Sequence, residues 1–417
     1  MNTNELAGKL RKTVMKITDK GWENIPFVVP LPPPKALDNP LPYKSIAEAQ
    51  KILNSLPSPN EMSEIDKMIN YLFVRREAVQ SSRLEGTWST IDHALTPGDI
   101  SDSGKGKDEH IAVRCYAKVM EEIVTEANEK KEDIFTSKLI CNIQKHIVEN
   151  DPQSKGIPGK LRTPGQAGSI VTIGGLNRKE DSRYNPAPPS EVKRCLEEVI
   201  DWFKDKDLAL QGDAGTGLSL PVRLAVGHAH FEAVHPFTDG NGRTGRTLWS
   251  IQMICSGSSP LYLSGYVEAR KEDYVRSLEQ AQKQLNYNPL IEFMCNAIIE
   301  SSLELRRSQE VIVSLPERWA QRGKFRKNSA AERALPLLLK HPIITSSLLQ
   351  KELGISGPAS TNAINQLLEF KIIRRREFEN RKPLYAAEDL IQILARPFGS
   401  EIDLALEKAA TLLSIAE

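Results

Sequence analysis

The chain is 417 residues long, 26% charged and 40% hydrophobic, and carries a formal net charge of +1. That length accommodates two or three domains with full cores, and the balanced charge excludes a general electrostatic pull toward nucleic acid or membrane surfaces while leaving local asymmetry open. Five scattered cysteines (Cys115, Cys141, Cys195, Cys255, Cys295), odd in number and without metal-ligand spacing, argue against a disulfide framework or a zinc site. No apolar run reaches the ~18 residues of a membrane span, so a cytoplasmic protein without membrane contact is expected.

Residues 1–60 read as a proline-rich N-terminal arm. Pro26, Pro30, Pro32, Pro33 and Pro34 favour extended chain because they lack N–H donors, and Phe27, Val28, Val29 and Leu31 favour packing of the arm on the main body. The region 61–105 holds a helix from about 62 to 85, with Ile65, Ile69, Leu72 and Val79 at helical spacing and Gly86 placed to end it. Further helices are expected at 113–127 and 136–148, the second carrying His146 as a packing or surface residue. The β-branched run 169–175 reads as a strand or short hairpin, followed by a helix from about 190 to 204. A helix at 221–233 carries His228 and His230. Two residues apart, they point to different faces, so both read as structural polar residues, not as a metal pair.

The chemistry concentrates in His235-Pro236-Phe237-Thr238-Asp239-Gly240-Asn241-Gly242-Arg243-Thr244-Gly245-Arg246. Glycines permit a tight bend and close approach of backbone N–H groups to an anion, and the apolar run from Thr247 to Met253 starts a helix there, so the loop sits on a positive helix end. Arg243 and Arg246 are three apart and face one side of the first turn, where two guanidinium groups suit successive phosphates. Asp239 suits a magnesium ion between them, and Phe237 reads as an anchor of the loop in the core.

From 321 to 385 there are thirteen Lys/Arg against five Asp/Glu, a local charge of +8 that leaves −7 for the remainder. Helical stretches near 329–340, 345–353 and 358–370, then two basic strands with Arg374, Arg375 and Arg376 before a turn at Asn380, read as a winged helix-turn-helix domain over 310–390. Pro336 is expected to kink the first of these helices. Ser360, Thr361, Asn362 and Asn365 form the polar face of the third. Two uses stay open: DNA binding through 321–385, and protein contact such as a homodimer. Closing helices occupy 391–417.

The 235–246 segment resembles the signature of the Fic (filamentation induced by cAMP) family, His-x-Phe-x-Asp/Glu-Gly-Asn-Gly-Arg-x-x-Arg, at every defined position. Residues Ser81-Ser82-Arg83-Leu84-Glu85-Gly86 are similar to the family's inhibitory motif, Ser/Thr-x-x-x-Glu-Gly/Asn, in the subclass that carries it on an N-terminal helix. The resemblance extends over about residues 25–305. It implies a mainly α protein with a Fic helical core at 106–305 and a short β-hairpin flap at 169–175, to which the winged helix is appended.

It further implies a protein adenylyltransferase that moves AMP from ATP to a Ser, Thr or Tyr hydroxyl of a target protein or of itself. In that picture His235 is the base and Asp239 holds Mg²⁺. Gly240, Asn241 and Gly242 meet the α-phosphate, Arg243 the β-phosphate and Arg246 the γ-phosphate, with Thr244 and Gly245 completing the turn. Tyr274 borders the adenine, and Val171 and Ile173, on the flap where the target docks, also belong to the ATP-binding set. Val275 stands where many relatives carry a second aromatic. Glu85, with Ser81, inhibits by pairing with Arg246. The alternatives are a Fic enzyme that removes AMP or transfers another phosphate-linked group, and an ATP-sensing regulator that binds DNA.

Overall fold

The computed structural model describes residues 1–37, 41–87, 89–96, 109–175, 179–208, 218–376 and 383–415. The first three quarters of the chain are helical: α1 (Gly8–Arg11), α2 (Tyr43–Ser55), α3 (Glu64–Leu84), α4 (Ile91–Leu95), α5 (Glu109–Lys130), α6 (Ser137–Val148), α7 (Val192–Lys204), α8 (Leu220–Val234), α9 (Asn241–Cys255), α10 (Ser264–Ala269), α11 (Lys271–Gln284) and α12 (Asn288–Ala320). At the centre is α8, whose residues are all buried except Arg223. A helix apolar on every side has to be enclosed by others, and α8 is surrounded by α9, α7, α11, α12 and α2. No described helix is long and apolar enough to cross a membrane.

The helix expected at 62–85 runs from Glu64 to Leu84. Its start is set by a capping box: the Ser63 hydroxyl accepts from Asp66 N, and the Asp66 carboxylate accepts from Ser63 N at 3.0 Å, worth about 1 kcal/mol. Its end is set at Glu85, followed by Gly86 at φ +89°. The apolar stripe begins at Ile69; Ile65, expected in it, is 47% exposed. Toward its C-terminus the helix buries Arg76, Glu77, Gln80, Ser81 and Ser82 as well as apolar residues, because other helices cover it on several sides.

The N-terminal arm does lie on the body, with Phe27 and Val28 fully buried, Val28 N donating to Asn185 O at 3.0 Å and Trp202 Nε1 donating to Pro34 O at 3.0 Å. It is not all extended, however. Strands β1 (Val14–Lys16) and β2 (Pro26–Val28) pair antiparallel with Val14 opposite Val28, and α2 packs along α12. The run at 169–175 forms no strand; Ile173 makes a single antiparallel bridge to Tyr184.

Beyond α12 the chain forms α13 (Ala330–Lys340), β3 (Ile343–Ile344), α14 (Ser346–Leu353), α15 (Gly357–Glu369), β4 (Ile373–Arg376) and β5 (Leu384–Ala387), then α16 (Glu388–Ala395) and α17 (Ile402–Ser414). The three strands make an antiparallel sheet in the order β3-β5-β4. Pro336 lies inside α13, as the sequence placed it. The boundaries drawn at 305/310 and 390/391 fall inside α12 and α16, and Asn380 lies outside the described residues. Trp319 Nε1 at the end of α12 donates to Asp389 Oδ2 of α16 at 2.7 Å.

His228 and His230 sit inside the core as structural residues, sharing hydrogen bonds with the Tyr274 hydroxyl at 2.6 Å and the Tyr287 hydroxyl at 2.7 Å. Burial lowers both from 6.5 to about 4. The unfolded chain therefore binds the extra protons first: the stability that neutral burial contributes is whole above pH 6.5 and is lost as pH falls toward 4. Each histidine is expected to cost about 2 kcal/mol between pH 7 and pH 5. In urea unfolding at the two pH values His230→Gln should remove that share of the acid sensitivity; an unchanged pH dependence would refute it.

Candidate active site

The site is built around a strained turn. Helix α8 ends at His235, whose backbone is left-handed (φ 49°, ψ 63°), a conformation that costs a non-glycine residue about 1 kcal/mol or more. Two hydrogen bonds hold it: His235 N donates to Phe231 O at 2.9 Å, and its carbonyl accepts from Arg162 Nε at 2.7 Å. Arg162 is 1% exposed and also donates to the carbonyls of Ser169 (3.1 Å), Ala187 (2.9 Å) and Val234 (2.9 Å). Burial lowers its pKa to about 9. One guanidinium thus joins the turn at His235, the start of the 169–175 segment and the 184–189 strap. The imidazole keeps 20% exposure, and its Nδ1 lies 3.5 Å from Glu232 Oε2, one turn back on α8.

The loop 236–240 is closed by Asn241. Its Oδ1 accepts from Phe237 N at 2.9 Å and its Nδ2 donates to Phe237 O at 2.8 Å, while the Phe237 ring is fully buried as expected. Gly240 precedes α9 at φ +81°, and a Cβ there would come within 2.7 Å of Val148 Cγ1, so only glycine fits. No side chain caps the N-terminus of α9, leaving first-turn N–H donors for an anion. Three residues expected at the nucleotide point inward instead. Asn241 is spent on the loop, the Thr244 hydroxyl donates to Gly240 O at 2.8 Å, and Gly245 is where α9 packs on Glu232, His228 and Phe231 of α8.

Arg246 is the most heavily used side chain of the site. Its Nε donates to Ser81 Oγ at 2.8 Å, and its Nη2 donates to Ser81 O at 2.9 Å and to Glu85 Oε1 at 2.7 Å. Arg246 is 2% exposed and Glu85 37%. Burial opposes the charge on Glu85, but the guanidinium more than offsets it and holds the carboxyl below its usual range. Gly242 makes room for this contact, since a Cβ there would strike the Glu85 carboxylate. Tyr116 of α5 connects the network onward: its hydroxyl lies 3.2 Å from Ser81 Oγ and donates to Arg243 O at 3.2 Å.

Arg243 is not beside Arg246 as an equal. It is buried in an ion pair with Asp151 (Nη1 to Oδ2, 2.7 Å; side chains 4% and 1% exposed), with Nη2 4.0 Å from Asp239 Oδ1. Tyr274 also departs from expectation. It is 8% exposed, its hydroxyl is engaged with His228, and its ring packs on Phe293, so it braces the core and offers no open face to adenine. The open space lies one residue on. A cleft of about 490 Å³ is bounded by Arg183, Lys271, Glu272, Val275, Arg276 and Glu279, and Lys271 Nζ donates to Leu84 O beside Glu85 at 2.9 Å. Val171 and Ile173 are half-buried near its rim segment, with Arg183 N bonded to Ile173 O at 2.8 Å.

Asp239 is held by Ser154 Oγ (2.8 Å) and Lys155 N (3.2 Å) on Oδ2 and by Gly240 N (2.6 Å) on Oδ1, yet keeps 34% exposure. Among the described residues no group of three or more His, Cys, Asp and Glu side chains gathers as a metal cage. One oriented, partly open carboxylate is the donor set that suits Mg²⁺ bound mainly through substrate phosphates and waters. Arg162, Asp151, Gln144, Tyr116, Glu232 and Lys271 carry the supporting contacts and escaped the sequence reading. Only Glu232, three residues before His235, had a local signal.

Residues 134–253 match the model of the Fic/DOC family, a narrower span than the 25–305 over which the resemblance was drawn. Two relatives are protein adenylyltransferase fic-1 of Caenorhabditis elegans, 40% identical over 93 residues, and a probable protein adenylyltransferase of Aquifex aeolicus (strain VF5), 23% identical over 219 residues. These matches cover 22% and 52% of this chain, but only 16% and 58% of the relatives' own lengths. In structure the chain is similar to a Fic family protein from Desulfovibrio desulfuricans G20, with a TM-score of 0.50 at 18% identity over 85% of this chain and 98% of that one. That likeness concerns the fold alone.

Because Arg162 satisfies four carbonyls at once, Arg162→Lys, with one donor centre, should destabilise the protein by ~2–4 kcal/mol in urea unfolding. A change below ~0.5 kcal/mol would mean that the turn at His235 is held by something else.

Proposed function

We propose that this chain, in which residues 134–253 form a Fic/DOC domain, is a protein adenylyltransferase that transfers AMP from ATP to a target hydroxyl and is held in check by its own Glu85. The names of the relatives support the activity. The observation that carries the inhibition is the 2.7 Å contact between Arg246 and Glu85, which commits to an α3 carboxylate the arginine of α9 that is not paired with Asp151.

On this reading the γ-phosphate of ATP takes the place of Glu85 on Arg246, and the open N-terminus of α9 receives the phosphates nearer the ribose. Arg243, fixed by Asp151, contributes charge from behind the loop. The adenosine lies toward the Val275 cleft. His235 Nε2 takes the proton of the target hydroxyl as its oxygen forms a bond to the α-phosphorus, and the bond from that phosphorus to the bridging oxygen breaks to release pyrophosphate. Glu232 beside Nδ1 stabilises the imidazolium so formed. Mg²⁺, when bound at Asp239, would neutralise charge on the phosphate oxygens.

The C-terminal part supports a second, compatible reading as a winged helix that contacts DNA. Thr361, Asn362 and Asn365 of α15 are exposed, and the strands close in the order β3-β5-β4. The expected recognition surface is smaller than the sequence suggested, because Ser360 is fully buried against Ser346 and Arg376 lies 3.0 Å from both Asp92 and Glu388.

Transfer of label from α-labelled ATP to protein tests the first reading. Removing a charge-assisted contact of ~1.5–3 kcal/mol predicts that Glu85→Gly labels about 10- to 100-fold more than wild type, and that His235→Ala does not label at all. An unchanged rate in Glu85→Gly would dismiss the inhibition, and retained labelling in His235→Ala would dismiss the base. For the second reading, duplex binding by the full chain should weaken steeply with salt, and Arg374→Ala with Arg375→Ala should flatten the slope by about 2. No binding at about 50 mM salt would end it.

A further inference from the structure

A cavity of about 210 Å³, whose wall does not include His235, lies between α3, the 259–265 segment, the middle of α12 and Phe398. Its wall is largely apolar, with Ile69, Phe73, Leu261 and Phe398. Two side chains on it carry buried polar atoms with no hydrogen-bond partner: Nε of Arg76 and Oγ of Ser301, each residue 3% exposed. Both atoms are able to donate. Buried donors left unmatched cost about 1–3 kcal/mol each and call for an explanation.

The charge around them points the same way. Arg76 Nη1 donates to Glu304 Oε1 at 2.8 Å, and Arg396 Nη2 lies 2.7 Å from the same oxygen. Two guanidinium groups thus share one carboxylate at ion-pair distance, while Glu268 acts on Arg76 and Glu401 on Arg396 only from further away. Burial, with Arg76 adjacent, lowers the pKa of Arg396 to about 10. The remaining charged side chains on the wall, Asp66 and Arg306, offset one another. An acceptor anion is the missing partner, and the apolar wall asks for a hydrocarbon body behind it.

The cavity also bears on the candidate active site. Ile69, Phe73, Arg76 and Gln80 line it from one face of α3, and the next turn of that helix holds Arg246 through Ser81 and Glu85. We propose that this cavity binds a small carboxylic acid with an apolar body, and that its occupancy alters how α3 presents Glu85 to Arg246. The second half rests on the inhibited-transferase reading; the first does not. A ligand shifts α3 only by as much as it prefers one arrangement over the other, so the coupling has to be measured separately from the binding.

The full chain is titrated by calorimetry with phenylacetate, octanoate and the neutral phenylacetamide. One of the acids should bind at a single site with a Kd near or below about 1 mM. Phenylacetamide should bind at least about tenfold more weakly, Ser301→Leu, which fills the cavity, should abolish binding, and Ser301→Ala should weaken it several-fold. Absence of saturable binding by either acid, or binding that both Ser301 variants leave intact, overturns the site; should Ser301→Leu not fold, Ser301→Ala decides.

The bound acid should then change labelling by wild type from α-labelled ATP at least about threefold and leave Glu85→Gly unaffected. Binding without that change overturns the coupling. Failure of Glu85→Gly to label at all would instead count against the transferase reading, and the calorimetry would still decide the site.

Discussion

A guanidinium that is 2% exposed must have its charge and its donors answered within the protein, and for Arg246 the answer comes almost entirely from α3. The hydroxyl and carbonyl of Ser81 and the carboxylate of Glu85 occupy it, and α3 has to lie against α9 for them to reach. That requirement explains why the last two turns of α3 are buried despite their polar residues. It also explains why Gly242 has no room for a side chain. A phosphate that binds Arg246 has to take the place of the one charged member of this set, so an anion gains access by displacing the Glu85 carboxylate.

A second arginine has the opposite task. Arg162 is buried among carbonyl groups and fixes backbone where Arg246 fixes charge. The left-handed residue it holds, His235, lets the chain leave α8 and enter α9 within a few residues, so that a helix end carrying the imidazole and a helix start carrying free N–H donors meet. The strain of that turn is small beside four charge-assisted hydrogen bonds of about 1.5–3 kcal/mol each. Asp151 on Arg243 and Gln144 Nε2 on Asp239 O serve the same rigidity from α6 and the turn after it.

The C-terminal part is joined to the α3 region by polar contacts as well as by the 33-residue α12. Arg76 Nη2 donates to Arg396 O at 3.2 Å, Arg376 reaches Asp92 of α4, and α16 packs on both α3 and α4. A chain that separates into an enzyme and an appendage by sequence is therefore continuous in structure. The sequence shows only the composition shift at 321, whereas the hydrogen bonds and ion pairs that cross it join residues up to 320 positions apart.

Local order was legible where one stretch of chain carries its own reason. The helices at 64–84, 137–148, 192–204, 220–234 and 241–255 lie close to the expected ranges, and the separate directions of His228 and His230 follow from their spacing on one helix. The glycine loop, His235 and the two arginines were set by their order in the chain. Tertiary structure decided everything that depends on a partner far away in sequence. Arg243 received Asp151, Thr244 and Asn241 turned inward, Tyr274 went to the core while Val275 faced the cleft, and Arg162 became the clamp of the site. A sequence fixes which groups are close along a helix or turn, because backbone geometry is local. Which buried charge meets which carboxylate is fixed only when helices pack, because the cost of leaving that charge unpaired arises only once water has been removed.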